Sequence, residues 1–260
     1  MTLHVTRTGT GPALVLLHGL GVSSWMWDDQ VAALCNRFQC VTVDLPGNGA
    51  SHAQRWESFA ATAHEIAGVV ADVSDDGAAH VVGLSLGGYV TLALLAAHPD
   101  RVHSALVSGV TAAPLSPAWL YGPLVRLNLQ LIRRPVFLGV SARMMGIPAE
   151  ARAAMAADAA RLAPGTGEQV YAELMDYRSP ELGPAADRLL AVAGDKEVRS
   201  VRTGLADLTA AGITTATVPD AHHAWNAEHP ELFSRMVRDW ALDRTLAPEL
   251  VSGTGSTARR

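Results

Sequence analysis

Short apolar runs alternate along the chain with longer stretches whose apolar positions recur every three or four residues. The short runs read as strands: Leu3–Thr8, Ala13–Leu17, Gln39–Val43, Ala79–Leu84, Val102–Ser108, Leu189–Ala193 and Ile213–Val218. Several are apolar without interruption, as in Ala13–Leu17, which marks strands covered on both faces. Helical spacing governs a short piece around Val31–Leu34, then Phe59–Val73, Leu86–Ala97, and the segments near Ser200–Ala210 and Pro230–Leu242. Strands that alternate with helices predict an α/β fold on a mostly parallel sheet flanked by helices.

One region breaks the alternation. Between Ser108 and Leu189 the pattern is helical throughout, with Leu120, Leu124, Leu127 and Leu131 at helical spacing and helix formers over Ala149–Leu162. Ordinary connections have a few residues, so a segment of this length must fold over something. The expected organisation is a core in two parts, residues 1–112 and 185–246, interrupted by a helical cap or lid over 113–184. Residues 247–260, with Ser252-Gly253-Thr254-Gly255-Ser256, read as a flexible tail.

Composition narrows the function classes. Of 260 residues 49% are hydrophobic and 17% charged, which excludes a disordered chain and allows a core without staples. The net charge is −5 and the nearest thing to a basic cluster is Arg133–Arg134, so nucleic acid is not an expected partner. Cys35 and Cys40 can form no disulfide scaffold and match no zinc spacing, so no metal is expected. No apolar run approaches the roughly 18 residues of a membrane helix, and Met1–Val5 carries no signal pattern. The expectation is a cytoplasmic protein without a membrane partner. No Gly-x-Gly-x-x-Gly follows the first strands, so no nucleotide cofactor is expected either.

The chemistry concentrates at Gly83-Leu84-Ser85-Leu86-Gly87, where a strand run ends and a helical run begins. A serine on so sharp a turn projects its hydroxyl above the sheet, and the residues two positions either side must be almost free of side chain. The first helical amides then point toward whatever binds at Ser85. A serine hydroxyl needs a base. Of the ten histidines, His222 and His223 stand out because they follow the last strand on a loop at the sheet's C-terminal edge. Position alone does not choose between them.

Taken together, the chain resembles the serine α/β-hydrolases. The resemblance rests on His18-Gly19-Leu20-Gly21, Asp44-Leu45-Pro46-Gly47-Asn48-Gly49-Ala50-Ser51, the serine elbow, His98-Pro99-Asp100-Arg101-Val102, and Ala221-His222-His223 followed by Glu228-His229-Pro230. It implies an α/β-hydrolase fold with the helical cap inserted after the sixth strand. It makes Ser85 the nucleophile and His223 the base, with His222 standing where the family usually has glycine. The family's Gly-x-x-Asp pattern falls on Gly194-Asp195-Lys196-Glu197 and puts Glu197 in the acid's place, with Asp195 as the alternative acid. The oxyanion donors it implies are the backbone N–H groups of Leu20 and Leu86. Trp25, Leu120, Leu124 and Met144 are candidate pocket-wall residues.

The activity implied is hydrolysis of a carboxylic ester of a small or medium-sized apolar molecule through an acyl-serine. A lactonase or a carbon–carbon bond hydrolase acting on β-diketones would use the same triad. A ligand-binding protein with little turnover is the reading from another class.

Overall fold

In the computed structural model, which describes residues 2–114 and 134–253 (Pro135 and Val136 by backbone alone), eight strands form one sheet. They are β1 (His4–Thr8), β2 (Ala13–Leu17), β3 (Gln39–Asp44), β4 (Ala79–Leu84), β5 (Val102–Ser108), β6 (Leu189–Gly194), β7 (Thr214–Val218) and β8 (Val251–Ser252). Their order is β1-β3-β2-β4-β5-β6-β7-β8, with β1 and β8 antiparallel to their neighbours and every other pair parallel. The seven strands expected from the apolar runs all form.

The two sides of each central strand feed different cores. Val15, Val81, Val107 and Ala191 pack on one face with α2 (Phe59–Val73) and α3 (Leu86–Ala97). Leu14, Leu16, Val82, Leu106, Leu190 and Val192 pack on the other with Trp27, Trp225, Phe233 and Trp240. That second layer comes from the short turn Ser24–Trp27 and α1 (Asp28–Leu34), the single turn α8 (Trp225–Glu228) and α9 (Pro230–Asp243). Each such leucine contributes about 1.5–3 kcal/mol by leaving water. α7 (Arg199–Ala210) sits beside β6 and β7. α2 starts cleanly because Ser58 Oγ accepts the Ala61 N–H at 3.0 Å.

Between β5 and β6 the described residues form α4 (Pro135–Met144), α5 (Arg152–Arg161) and α6 (Thr166–Met175). The helical run through Leu120, Leu124, Leu127 and Leu131 lies outside the described residues. The expected insertion point needs correction. The helices leave the fifth strand of this chain, not the sixth, because each of the five apolar runs before them forms one strand and the stretches between hold only turns and helices.

The stretch expected as a tail begins with order. Ala247 and Leu250 are buried against the α1/α9 layer, and Val251–Ser252 returns to pair with Thr217 and Ala216 at the sheet edge. Two apolar anchors among polar residues were enough to dock the chain, a signal too sparse to read as periodicity.

Register aligns what matters next. Leu84 lies beside Ser108, Ser108 beside Val192, and Gly194 beside Val218. The turns after β4, β5, β6 and β7 therefore open on one edge, where open α/β sheets bind their ligands.

Candidate active site

Ser85 sits between β4 and α3 with φ 55° and ψ −115°, a left-handed φ that non-glycine residues seldom adopt. Its neighbours explain why the turn tolerates no side chain. A Cβ on Gly83 would lie 2.2 Å from Gly87 O, and one on Gly87 would lie 2.1 Å from Leu17 O. The turn is pinned on both sides: Ser85 N–H donates to Ser108 O at 2.8 Å, and Gly87 N–H to His18 O at 3.0 Å. Residues in such conformations cost about 1–3 kcal/mol and persist where the surroundings over-determine them.

His223 stands on the loop after β7, and its Nδ1 meets Glu197 Oε1 at 2.8 Å. A carboxylate can only accept, so Nδ1 carries the proton and Nε2 keeps the ring's free lone pair. Glu197 is buried, whereas Asp195 is exposed. Burial pulls the His223 pKa down, but the charge and hydrogen bond of Glu197 outweigh it, and the net shift is upward from 6.5. Gly109, with φ 69°, ends β5 against the imidazole; a Cβ there would lie 2.5 Å from its Cε1. Ser108, which holds the Ser85 amide, and Gly109, which touches His223, thus bring the elbow and the histidine loop to one place.

His222 takes a different partner. Its Nδ1 lies 2.7 Å from Glu228 Oε1, and its backbone N–H donates to Glu228 Oε2 at 2.7 Å. The ring that replaces glycine thus points away from Glu197.

Leu86 directly follows Ser85 on the elbow, and Leu20 lies on the turn after β2. Leu86 is the first residue of α3, so its N–H has no acceptor within the helix. Leu20 follows His18-Gly19, and a Cβ on Gly19 would lie 3.6 Å from Ser85 Cβ. His18 is fully buried, and burial pushes its pKa down, keeping it neutral. The Leu45 N–H donates to its Nε2 at 2.9 Å, so Nδ1 carries the hydrogen and donates to Gly19 O at 2.7 Å. Beyond it, Gly21 N–H donates to Asn48 Oδ1 at 2.9 Å and Ser24 N–H to Asp44 Oδ1 at 2.8 Å. Burial works against charge on Asp44, yet hydrogen bonds from Ser24 and Ala50 hold its carboxyl below the usual range.

The pocket-wall residues fare unevenly. Trp25 packs on a cluster of Val22, Leu138, Ala142, Ile147, Met155 and Ala159, between the core and the inserted helices. Met144 is 71% exposed, and Leu120 and Leu124 lie outside the described residues. Sequence reasoning missed the hydrogen-bonding parts of His18 and Asn48, although both stand in the motifs already singled out. It also missed Asp158, whose Oδ2 accepts the Ser23 Oγ–H and the Trp25 Nε1–H at 2.6 Å each and whose one signal was a lone acid in an alanine-rich helix. Among the described residues no group of three or more His, Cys, Asp or Glu could hold a metal ion. No helix among them is long and apolar enough to cross a membrane.

Comparison with known proteins agrees with this architecture. A pimeloyl-[acyl-carrier protein] methyl ester esterase of Aeromonas hydrophila is 39% identical over 106 residues, 40% of this chain and 40% of that protein. The match therefore spans less than half of that relative's length. The protein of the same name from Methylococcus capsulatus is 27% identical over 264 residues, covering 92% of this chain and 98% of its own. A hydrolase from Pseudomonas aeruginosa superposes with a TM-score of 0.72 over 93% of this chain and 94% of its own, at 24% identity, which speaks for the fold alone. The sequence profile of the alpha/beta hydrolase family matches residues 14–236. Because that span contains the parallel sheet, the serine elbow and the histidine loop, the chain belongs to the alpha/beta hydrolase family.

Proposed function

We propose that the protein is a serine esterase that cleaves a carboxylic ester of a small or medium-sized apolar molecule through an acyl-serine. The observation that carries the reading is the 2.8 Å bond between His223 Nδ1 and buried Glu197, on the sheet edge where Ser85 occupies its strained turn. In this reading His223 Nε2 takes the proton as Ser85 Oγ attacks the ester carbonyl. The Leu20 and Leu86 N–H groups receive the developing oxyanion, donors worth about 3–4 kcal/mol each in comparable sites. His223 returns the proton to the leaving alcohol, then activates water to release the acid. Glu197 holds the ring in the required tautomer and stabilises the imidazolium. The full-length and partial relatives named as methyl ester esterases support an ester as the substrate class.

The helices between β5 and β6 serve in this reading as a cap over residues 113–184, with Trp25 on the pocket wall beneath them. The unbridged Cys35 and Cys40 fit a reducing compartment, which supports a cytoplasmic setting. The test is a panel of nitrophenyl esters of graded chain length, lactones and a β-diketone, run with the parent and Ser85→Ala. Ester turnover that Ser85→Ala reduces at least ~10³-fold is the expected result. Near-parental turnover in the variant, or stoichiometric binding with no turnover of any ester by the parent, would overturn it.

A further inference from the structure

The inserted helices reach back to the turn that follows β2. Asp158, midway along α5, is 6% exposed, and its Oδ2 accepts Ser23 Oγ–H at 2.6 Å and Trp25 Nε1–H at 2.6 Å. Both donors lie a few residues past Leu20, in the stretch after β2 whose Gly19 comes close to Ser85, since a Cβ on it would lie 3.6 Å from Ser85 Cβ. The core supplies the other anchors of that turn, Asn48 Oδ1 on Gly21 N–H and Asp44 Oδ1 on Ser24 N–H. Among the described residues, Asp158 is the side chain of the inserted helices that hydrogen-bonds to it. An indole N–H can only donate, and buried polar groups are kept hydrogen-bonded, so each group restricts the other. A second link runs from the same helices to the opposite side of the site: Met145 O accepts the Ala224 N–H at 2.7 Å, next to His223.

We propose that Asp158 is a positioning residue that makes the conformation of the Leu20 turn depend on the seating of the inserted helices. Through Ser23 and Trp25 it draws the turn against α5, so the oxyanion site is complete only while those helices are docked. The inference rests on the esterase reading of Ser85 and Leu20. Asp158 touches no reacting atom in this scheme. Its loss disturbs stabilisation of the transition state more than the grip on ground-state substrate, because the displaced amide is used fully only when charge develops.

The test compares the parent, Asp158→Ala, Asp158→Asn, Trp25→Phe and the Asp158→Ala/Trp25→Phe pair on nitrophenyl butyrate, with tryptophan emission recorded for each. Asp158→Ala is expected to lower kcat about 30- to 100-fold, since small misplacements of catalytic groups cost on this order. KM stays within about 3-fold, the signature of an interaction used in the transition state. Asp158→Asn, which keeps an acceptor oxygen, recovers part of the loss and guards against a variant that fails to fold. The double variant loses less than the product of the two single losses, because the two residues act through one bond. Emission shifts in Asp158→Ala but not when the same change is made on Trp25→Phe.

A kcat within about 2-fold of the parent in Asp158→Ala, parallel changes in kcat and KM, or independent effects in the pair would overturn the proposal. A parent inactive on every ester overturns the esterase reading and the kinetic role together. Unchanged emission in Asp158→Ala overturns the clamp alone.

Discussion

Glu197 and Asp195 stand two positions apart on the same turn, and geometry separates them by direction. Asp195 N–H donates to Val218 O at 3.0 Å and Lys196 N–H to Ala221 O at 3.0 Å, so the turn lies along the loop that carries His223. The side chain of Glu197 then folds inward to the imidazole while that of Asp195 stays in solvent. On the esterase reading, Glu197→Gln lowers kcat/KM far more than Asp195→Asn, and a larger loss in the second would reverse the roles. The pH profile gives an independent check. His223 must be neutral to act as base, and its pKa lies above 6.5, so kcat/KM falls as pH drops through that raised value. Glu197→Gln removes what raises it, and the acid limb should move to lower pH. For stability the sign is opposite. The charged pair stabilises the fold fully below about pH 6.5, and that contribution fades as pH rises through the folded-state pKa, measurable as a Tm that falls less in Glu197→Gln over that window.

At the scale of elements, the helices Phe59–Val73 and Leu86–Ala97 begin and end where the apolar spacing predicts. Both run against the sheet over several turns, so periodicity states their burial directly. α5 is shorter than the helix formers over Ala149–Leu162 suggest, because the chain is still turning at Pro148–Ala151. The ends of strands were less legible, since a glycine's need for space depends on what packs across from it. Gly109 is the clearest case: its φ of 69° and the contact a Cβ would make with His223 both come from neighbours distant in sequence. Gly109→Ala should lower kcat about 10²-fold by displacing the imidazole. It should also cost about 1–3 kcal/mol of stability from the strained φ, read by urea denaturation. Parental kcat in a folded variant would show that the imidazole is not held there.

For the whole molecule, the sheet closes at an edge that the sequence did not advertise. Ala247 and Leu250 bury against the α1/α9 layer, and β8 covers part of β7. Ending the chain at Leu246 should lower unfolding free energy by about 2–3 kcal/mol, mostly the burial of Leu250, and a chain of unchanged stability would show that this docking contributes nothing. The alternation of apolar runs and helical spacing determined the layers, the strand count of the parallel sheet and the strand–turn–helix setting of Ser85, because burial on two faces and a glycine-flanked turn are local properties. The choice of Glu197 over Asp195 as the partner of His223, the tautomer of His18, the return of the chain end and the grip of Asp158 on Ser23 and Trp25 were decided only in the tertiary structure. Each of these joins groups that are separated along the chain or aimed by distant backbone. A hydrogen bond depends on distance and direction within fractions of an ångström, and those are set by how the layers pack rather than by which residues neighbour one another in the chain.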